Sequence, residues 1–189
     1  MMPLEGIKIV DFTIWLQAFG VAMLGDMGAD VWKVEELPEG DPLRNTANLR
    51  TLQYKPLPKV NFRFETTCRN KRSVAVDIKT EEGKEVIRRL AAQADVFVSN
   101  RRRVALEKWG LGYERLAALN PRLIYAIDSG WGPKGPDRDL PGMDMAVQAR
   151  GGLMSQMGDA GTPPPVWGVP TLADKVGALQ LAYGITMAL

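Results

Sequence analysis

The chain has 189 residues, of which 46% are hydrophobic and 24% charged, and its formal net charge is +2. This composition is typical of a soluble globular domain, and so small a net charge gives no reason to expect a nucleic-acid partner. The sequence contains no histidine, which excludes Ser-His-Asp and Cys-His nucleophiles and histidine-containing metal sites. Its single cysteine, Cys68, excludes an internal disulfide and favours a reducing compartment such as the cytoplasm.

The predicted elements alternate between strand and helix along the chain. Residues 6–12 form a short strand rich in β-branched side chains, a helix extends to residue 27, and residues 30–34 form a second strand. Further strands are predicted at 73–78, 95–98 and 123–127, and further helices at 81–94 and 113–119. Because parallel neighbours need a crossover helix, this alternation predicts a Rossmann-like α/β fold, with a mostly parallel sheet and helices on both faces.

Several segments do not fit this alternation. Residues 36–72, 130–142 and 158–170 are rich in proline or glycine and are predicted to be irregular. Residues 176–189 are apolar but too few to span a bilayer, so they are predicted to form a buried helix, and no signal peptide is predicted at the start of the chain. The last helix has no capping residue, and we therefore expect residues 1–189 to be a truncated chain or a half-length subunit completed by another polypeptide.

The turn after the first predicted strand bears on nucleotide binding. Residues 13–20 lack the Gly-x-Gly-x-x-Gly pattern of dinucleotide sites, and the chain contains no P-loop motif. Ligands of open α/β sheets nevertheless bind beyond the carboxyl ends of the strands. The polar residues predicted at those ends are Asp11, Glu35, Lys79 and Asn100.

A basic run follows the predicted strand at 95–98. Arg101, Arg102 and Arg103, with Lys108 shortly after them, could bind phosphate groups through charge-assisted contacts. The alternative is a solvated surface turn, because charged runs are commonly exposed. The residues alone favour the surface turn.

Asp174 lies where a helix is predicted to begin after a proline. It could be a carboxylate nucleophile, kept ionised by the positive end of the helix dipole and able to form covalent acyl intermediates. The alternative is structural, since Thr171 and Asp174 approximate a capping box that satisfies the free N–H groups of the first turn. The spacing alone favours the capping box.

Seven segments carry a family resemblance that extends over essentially the whole chain. They are PLEGIKIVDFT (3–13), MLGDMGADVWKVE (23–35), GDPLR (40–44), NKRSVAVDIKTEEGKE (70–85), ADVFVSN (94–100), LGYERLAALNPRLIYAIDSGWGPKGP (111–136) and PGMDMAVQARGGLMSQMG (141–158). In combination they resemble the family III CoA-transferases, which include formyl-CoA and carnitine CoA-transferases and are related to the α-methylacyl-CoA racemases. The resemblance implies a Rossmann-like large domain, here without the family's small domain, in an interlocked homodimer or with a companion chain.

The resemblance also implies a reaction and its residues. Asp174 matches the nucleophilic aspartate that attacks an acyl-CoA thioester, forming a mixed anhydride before CoA passes to an acceptor carboxylic acid. Gln17 matches a position near the active site, and the charges of Arg101 and its neighbours suit the phosphates of CoA. The positions that match CoA contacts in the family are Lys79, Asn100 and Lys108. Coenzyme A is the implied cofactor, and no metal is implied.

Two departures from the family pattern narrow the expected function. Met143 stands where the racemases have histidine and many transferases have tyrosine, and a thioether cannot abstract an α-proton. Asn100 is normally followed by phenylalanine and a Pro-Gly turn, but here by Arg101. We expect a CoA-transferase, with a noncatalytic CoA-binding subunit or, less favoured, an acyl-CoA racemase as alternatives. The acyl donor and the acceptor acid are not predicted.

Overall fold

The computed structural model describes residues 1–44, 61–157, 159, 161–163 and 171–189. One sheet contains five strands, namely β1 (Lys8–Phe12), β2 (Asp30–Glu36), β3 (Lys71–Val76), β4 (Val96–Ser99) and β5 (Ile124–Ile127). Their order in the sheet is β3-β2-β1-β4-β5, and every neighbouring pair is parallel. The Rossmann-like α/β fold predicted from the sequence is confirmed.

Helices connect these strands and cover the sheet. Those in the described part of the chain are α1 (Ala18–Asp26), α2 (Phe62–Cys68), α3 (Glu81–Ala91), α4 (Arg103–Lys108), α5 (Tyr113–Leu119), α6 (Asp144–Arg150) and α7 (Leu172–Ala188). A single 3-10 turn, Trp15–Gln17, joins β1 to α1. The helix predicted at 113–119 has the observed bounds, whereas most other predicted elements differ by a few residues at their ends.

A hydrophobic core lies on each face of the sheet. On one face, Phe12 and Phe97 pack with buried side chains of α3, α4 and α5. On the other face, Ile9 and Val98 pack with buried side chains of α1 and α7. Every residue of β4 is buried, as expected for a central strand of a parallel sheet that is covered on both sides. Because helices cover both faces of the sheet, we expect polar side chains to contact a ligand at the ends of the strands.

The sequence did not predict α2 and α4. The expectation of an irregular segment at 36–72 is wrong for Phe62–Cys68, where Asn61 caps α2 by accepting the N–H of Phe64 at 3.3 Å. Residues 45–60 of that segment, and most of 158–170, lie outside the described residues. Helices this short have little hydrophobic periodicity and depend on caps and tertiary packing.

The last helix is only partly buried, so the prediction of a buried helix at 176–189 is wrong. α7 buries one narrow face against the sheet and α1 through Ala178, Ala182 and Ile185. Its other side exposes large apolar side chains, namely Val176, Leu179, Tyr183 and Met187. Among the residues that the structure describes, no helix is long and apolar enough to cross a membrane.

The strand order puts the switch point of the sheet, where ligands of open α/β sheets bind, between the carboxyl ends of β1 and β4, a place we call the crevice. The chain turns toward β2 after β1 and toward β5 after β4, so the two connections diverge at this point of the sheet. α7 reaches the same place because it packs closely along α1. A Cβ atom on Gly20 of α1 would lie 2.2 Å from the carbonyl oxygen of Ala178, so this approach requires glycine at position 20.

Candidate active site

Three polar side chains meet at the crevice between β1 and β4. Gln17, at the end of the 3-10 turn after β1, donates from Nε2 to Oδ1 of Asp174 at 2.8 Å. Asn100, directly after β4, donates from Nδ2 to Oε1 of Gln17 at 3.2 Å and to the carbonyl oxygen of Ile14 at 2.8 Å. Its own Oδ1 accepts the N–H of Ile14 at 2.9 Å. Asn100 therefore holds the Gln17 amide so that its NH₂ group faces Asp174.

The surroundings of Asp174 raise its pKa and so make its carboxylate more basic than usual. The residue is half-buried at the third position of α7. Burial raises the pKa of Asp174, the hydrogen bond from Gln17 opposes that rise, and the charge of Asp144 adds to it. The positive end of the α7 dipole is expected to stabilise the anion and so, like the hydrogen bond from Gln17, to lower the pKa of Asp174. Asp174 thus combines a raised pKa with a hydrogen-bond donor that keeps one of its oxygens in place.

The capping-box alternative for Asp174 is wrong. Thr171 is the N-cap of α7 but makes no side-chain hydrogen bond to the helix. The N–H of Asp174 donates instead to Oδ1 of Asp144 at 3.1 Å, and Gln148 donates to Oδ2 of the same Asp144 at 2.7 Å. The first turn of α7 is therefore capped from α6, and the side chain of Asp174 is turned toward Gln17.

A further carboxyl group beside Asp174 was missed by the sequence analysis. Asp128 directly follows β5, and its Oδ1 and Oδ2 lie 3.5 and 3.4 Å from the position that a Cβ of Gly177 would occupy. Gly177 and Asp174 are three residues apart and so share a face of α7. Burial and the charge of Asp174 raise the pKa of Asp128, and its Oδ2 is buried without a hydrogen-bond partner among the described residues. The sequence feature that could have identified Asp128 is its position directly after a predicted strand.

Two of the other strand-end residues are buried carboxylates held in ion pairs. Asp11 accepts from Lys71 at 2.7 Å, and both side chains are almost fully buried. Glu35 pairs with Arg44 at 2.6 Å and accepts from Ser73 at 2.7 Å, and these contacts lower the pKa of Glu35 to about 2 against the opposing effect of burial. Both carboxylates are therefore structural in this chain and do not reach the Asp174 site.

The basic residues divide into a half-buried and an exposed group. Arg101 pairs with Glu36, and its guanidinium lies 5.1 Å from the ring centroid of Phe12. Arg103 pairs with Glu107 at 2.6 Å and with Asp139 at 2.9 Å on the surface of α4. The surface-turn alternative thus describes Arg103 but not Arg101.

The remaining predicted CoA contacts lie apart from the nucleophile. Lys79 is exposed in the turn between β3 and α3, and Lys108 is exposed in the last turn of α4. The structure therefore brings together Asp174, Gln17 and Asn100, while both lysines lie on the surface. Met143 is exposed immediately before α6, and within the described ranges no cluster of three side chains could hold a metal ion.

Comparison with known proteins gives consistent matches over the whole chain. It is 38% identical over 188 residues to the cinnamoyl-CoA:phenyllactate CoA-transferase of Clostridium sporogenes, covering 98% of this chain and 44% of the relative. It is also 38% identical to the beta subunit of the succinyl-CoA–L-malate CoA-transferase of Chloroflexus aurantiacus, covering 100% of this chain and 45% of that subunit. The chain spans about half the length of these curated relatives.

Solved structures agree with the sequence matches. A CaiB/BaiF family protein from Brucella suis superposes with a TM-score of 0.86 at 38% identity, over 99% of this chain and 49% of the other. A hypothetical protein from Mycobacterium tuberculosis gives a TM-score of 0.87 at 32% identity, over 99% of this chain and 50% of the other. The family model described as CoA-transferase family III matches residues 4–189. With these matches and the predicted motifs in agreement, the chain belongs to CoA-transferase family III.

Proposed function

We propose that this chain carries the nucleophile and the CoA-binding edge of a CoA-transferase, which moves CoA from an acyl-CoA donor to a carboxylic acid. The observation that supports this most directly is the contact of Gln17 with Asp174, with Asn100 fixing the orientation of Gln17. The contact presents a half-buried carboxylate at the crevice where ligands of parallel sheets bind. A nucleophile of this kind needs neither histidine nor metal.

The reaction proceeds through three covalent intermediates on Asp174, namely an anhydride with the donor's acyl group, a thioester with CoA and an anhydride with the acceptor. An ionised oxygen of Asp174 attacks the thioester carbon, the C–S bond breaks, and CoA leaves as the thiolate from an acyl-aspartyl anhydride. The thiolate attacks the aspartyl carbonyl, which releases the donor's carboxylate and leaves an aspartyl-CoA thioester. The acceptor carboxylate then attacks the aspartyl carbon of this thioester, the C–S bond breaks, and CoA leaves as the thiolate from an acceptor-aspartyl anhydride. The thiolate finally attacks the acceptor's acyl carbon, forms the new acyl-CoA and releases Asp174 as the free carboxylate.

One amide and three basic side chains provide the CoA contacts in this proposal. Asn100 and Arg101 follow β4, Lys79 follows β3, and Lys108 ends α4. CoA carries a diphosphate and a 3′-phosphate, and guanidinium and ammonium groups bind such oxygens through charge-assisted hydrogen bonds. Because Lys79 and Lys108 are exposed, their share of the affinity should fall as salt concentration rises.

A second candidate function is a noncatalytic CoA-binding subunit that works with a companion chain. It is favoured by the alpha and beta subunits named for the malate enzyme, both of which this chain resembles. In either case we propose association, as an interlocked homodimer or with a companion chain, in the cytoplasm. A racemase is disfavoured because Met143 offers no base.

Trapping the covalent intermediate tests the proposal. The assembly that the chain forms in its own cells is incubated with acyl-CoA and then with hydroxylamine or borohydride, and the modified residue is mapped by peptide mass spectrometry. We expect the label on Asp174, its loss in D174N, and normal labelling in D159N, which alters an exposed aspartate. Exchange of CoA without a label on Asp174 would exclude the mechanism, and full exchange in D174N would favour the noncatalytic subunit.

A further inference from the structure

One ion pair crosses the opening of the crevice. Arg101 lies two residues beyond the end of β4, and Glu36 is the last residue of β2. β1 lies between these two strands in the sheet, and the Arg101 guanidinium covers the ring of Phe12 at the end of β1. The pair therefore spans the carboxyl ends of three adjacent strands, where a ligand of the sheet has to enter.

Arg101 has bonding capacity that the described residues do not use. Its side chain is 20% exposed, and its Nε is buried without a hydrogen-bond partner among the described residues. Burial lowers the pKa of Arg101, while the charges of Glu36 and Asp41 oppose this shift. A guanidinium in this state gains most from an anion that can accept two parallel N–H bonds, and a phosphate group is such an anion.

Glu36 has room to leave Arg101. Its side chain is 30% exposed and lines a surface pocket together with Leu37, Pro38 and Ser73, among others. The adjacent Glu35 is different, because Arg44 and Ser73 hold both of its oxygens. The only ion pair of Glu36 within the described residues is with Arg101. Glu36 can thus turn toward the pocket while Glu35 and the strand stay in place.

We propose that Glu36 is an internal competitor for the phosphate groups of CoA, which neutralises Arg101 in the empty crevice and is displaced from it when CoA binds. This inference rests on the CoA site of the proposed function and adds a determinant of specificity to it. A phosphate carries more charge than a carboxylate and can replace Glu36, whereas a thioester without phosphate cannot. Glu36 therefore lowers the affinity for CoA and at the same time excludes weaker anions from Arg101.

The test compares binding of CoA and of pantetheine, which lacks the phosphates, to the natural assembly and its variants. E36Q keeps the shape of the side chain and removes its charge, so we expect CoA to bind about three- to tenfold more tightly, the range of a partly exposed ion pair. Pantetheine binding should not change. E39Q is the matched control, because Glu39 is an exposed acid of the same loop, and it should change CoA binding far less.

A double variant tests whether Glu36 acts on CoA binding through Arg101. R101Q should weaken CoA binding, and adding E36Q to R101Q should give no further gain, because the two residues act through one contact. E36D keeps the charge but shortens the side chain, which should weaken the ion pair with Arg101. It should therefore also tighten CoA binding. Unchanged or weaker CoA binding in E36Q, or an equal gain in E39Q, would overturn the inference. A wild-type assembly that binds no CoA would instead overturn the proposed function.

Discussion

Oδ1 of Asp144 accepts the backbone N–H of Asp174 at 3.1 Å, so the first residue of α6 caps the helix that carries the proposed nucleophile. Gln148, one turn further along α6, donates to the other oxygen of Asp144 at 2.7 Å. The same carboxylate thus has two effects on Asp174. It fixes the start of α7 through the hydrogen bond, and its negative charge raises the pKa of Asp174.

Two substitutions at Asp144 separate these effects. D144A removes the cap and should lower the free energy of unfolding by about 1 kcal/mol, the typical value of a helix N-cap. D144N keeps an oxygen acceptor for the N–H of Asp174, and its NH₂ group can donate to Gln148 once the Gln148 amide rotates, so it should be more stable than D144A. Both remove the negative charge, so both should lower the pKa of Asp174. Denaturant unfolding and NMR titration of the labelled carboxyl carbon measure the two quantities, and an unchanged pKa in D144N would contradict this account.

Gln17 is expected to control the pH dependence of the reaction. Its hydrogen bond favours the ionised form of Asp174 and so lowers the pKa of that residue. Only the ionised form can attack the thioester, and activity should therefore rise with pH through this pKa. In Q17L the pKa should be higher, and the acidic limb of the rate profile should move to higher pH. Q17L with a smaller maximum rate but an unshifted limb would mean that Gln17 acts on substrate position alone.

Much of the fold could be predicted because the central strands are buried on both sides. β4 and the strands beside it are short runs of apolar and β-branched residues, and α5 begins after a glycine and ends at Leu119, with Asn120 as its C-cap just before Pro121. α2 and α4 could not be predicted, because a cap from Asn61 and the burial of Leu106 stabilise them rather than a periodic pattern.

The candidate site was predicted in part. The family resemblance singled out Asp174, Gln17 and Asn100, and the structure joins them by hydrogen bonds. Neither the capping of α7 by Asp144 nor the pairing of Glu36 with Arg101 has a local sequence signal. Both depend on which strand ends and helix ends become neighbours, and this is set by the order of the strands in the sheet.

Asp128 should make the stability of the protein depend on pH. Its pKa is raised above the ordinary value of 3.8 by burial and by the charge of Asp174. The folded state therefore binds this proton more tightly than the unfolded state, so the contribution of Asp128 to stability is greatest below pH 3.8 and falls as pH rises through the raised pKa. D128N should remove this fall and be more stable than wild type above the raised pKa.

Denaturant unfolding of D128N at several pH values measures this effect. At acidic pH, where Asp128 is protonated, D128N and wild type should be similar in stability. D159N removes an exposed aspartate and should leave the pH dependence unchanged, which controls for net charge. If D128N were less stable than wild type at neutral pH, a partner beyond the described residues would have to stabilise the carboxylate of Asp128.

The close approach of α1 and α7 allows a test of how Asp174 is positioned. In G20A the new Cβ would lie 2.2 Å from the carbonyl oxygen of Ala178, which is backbone and can move away only if the helices separate. We expect a loss of about 1–3 kcal/mol in the free energy of unfolding, as for other overpacked sites. Because α7 carries Asp174 and the chain before α1 carries Gln17, separation of the helices should also weaken their hydrogen bond and slow the reaction.

G184A is the matched control for this change. Gly184 lies within α7, and a Cβ there would meet nothing within 4 Å. Alanine should therefore stabilise the helix by up to about 1 kcal/mol through its higher helix propensity and leave the rate unchanged. Since both substitutions replace a helical glycine by alanine, opposite effects on stability would isolate the contact with Ala178. Equal effects, or a normal rate in a destabilised G20A, would mean that this contact does not position Asp174.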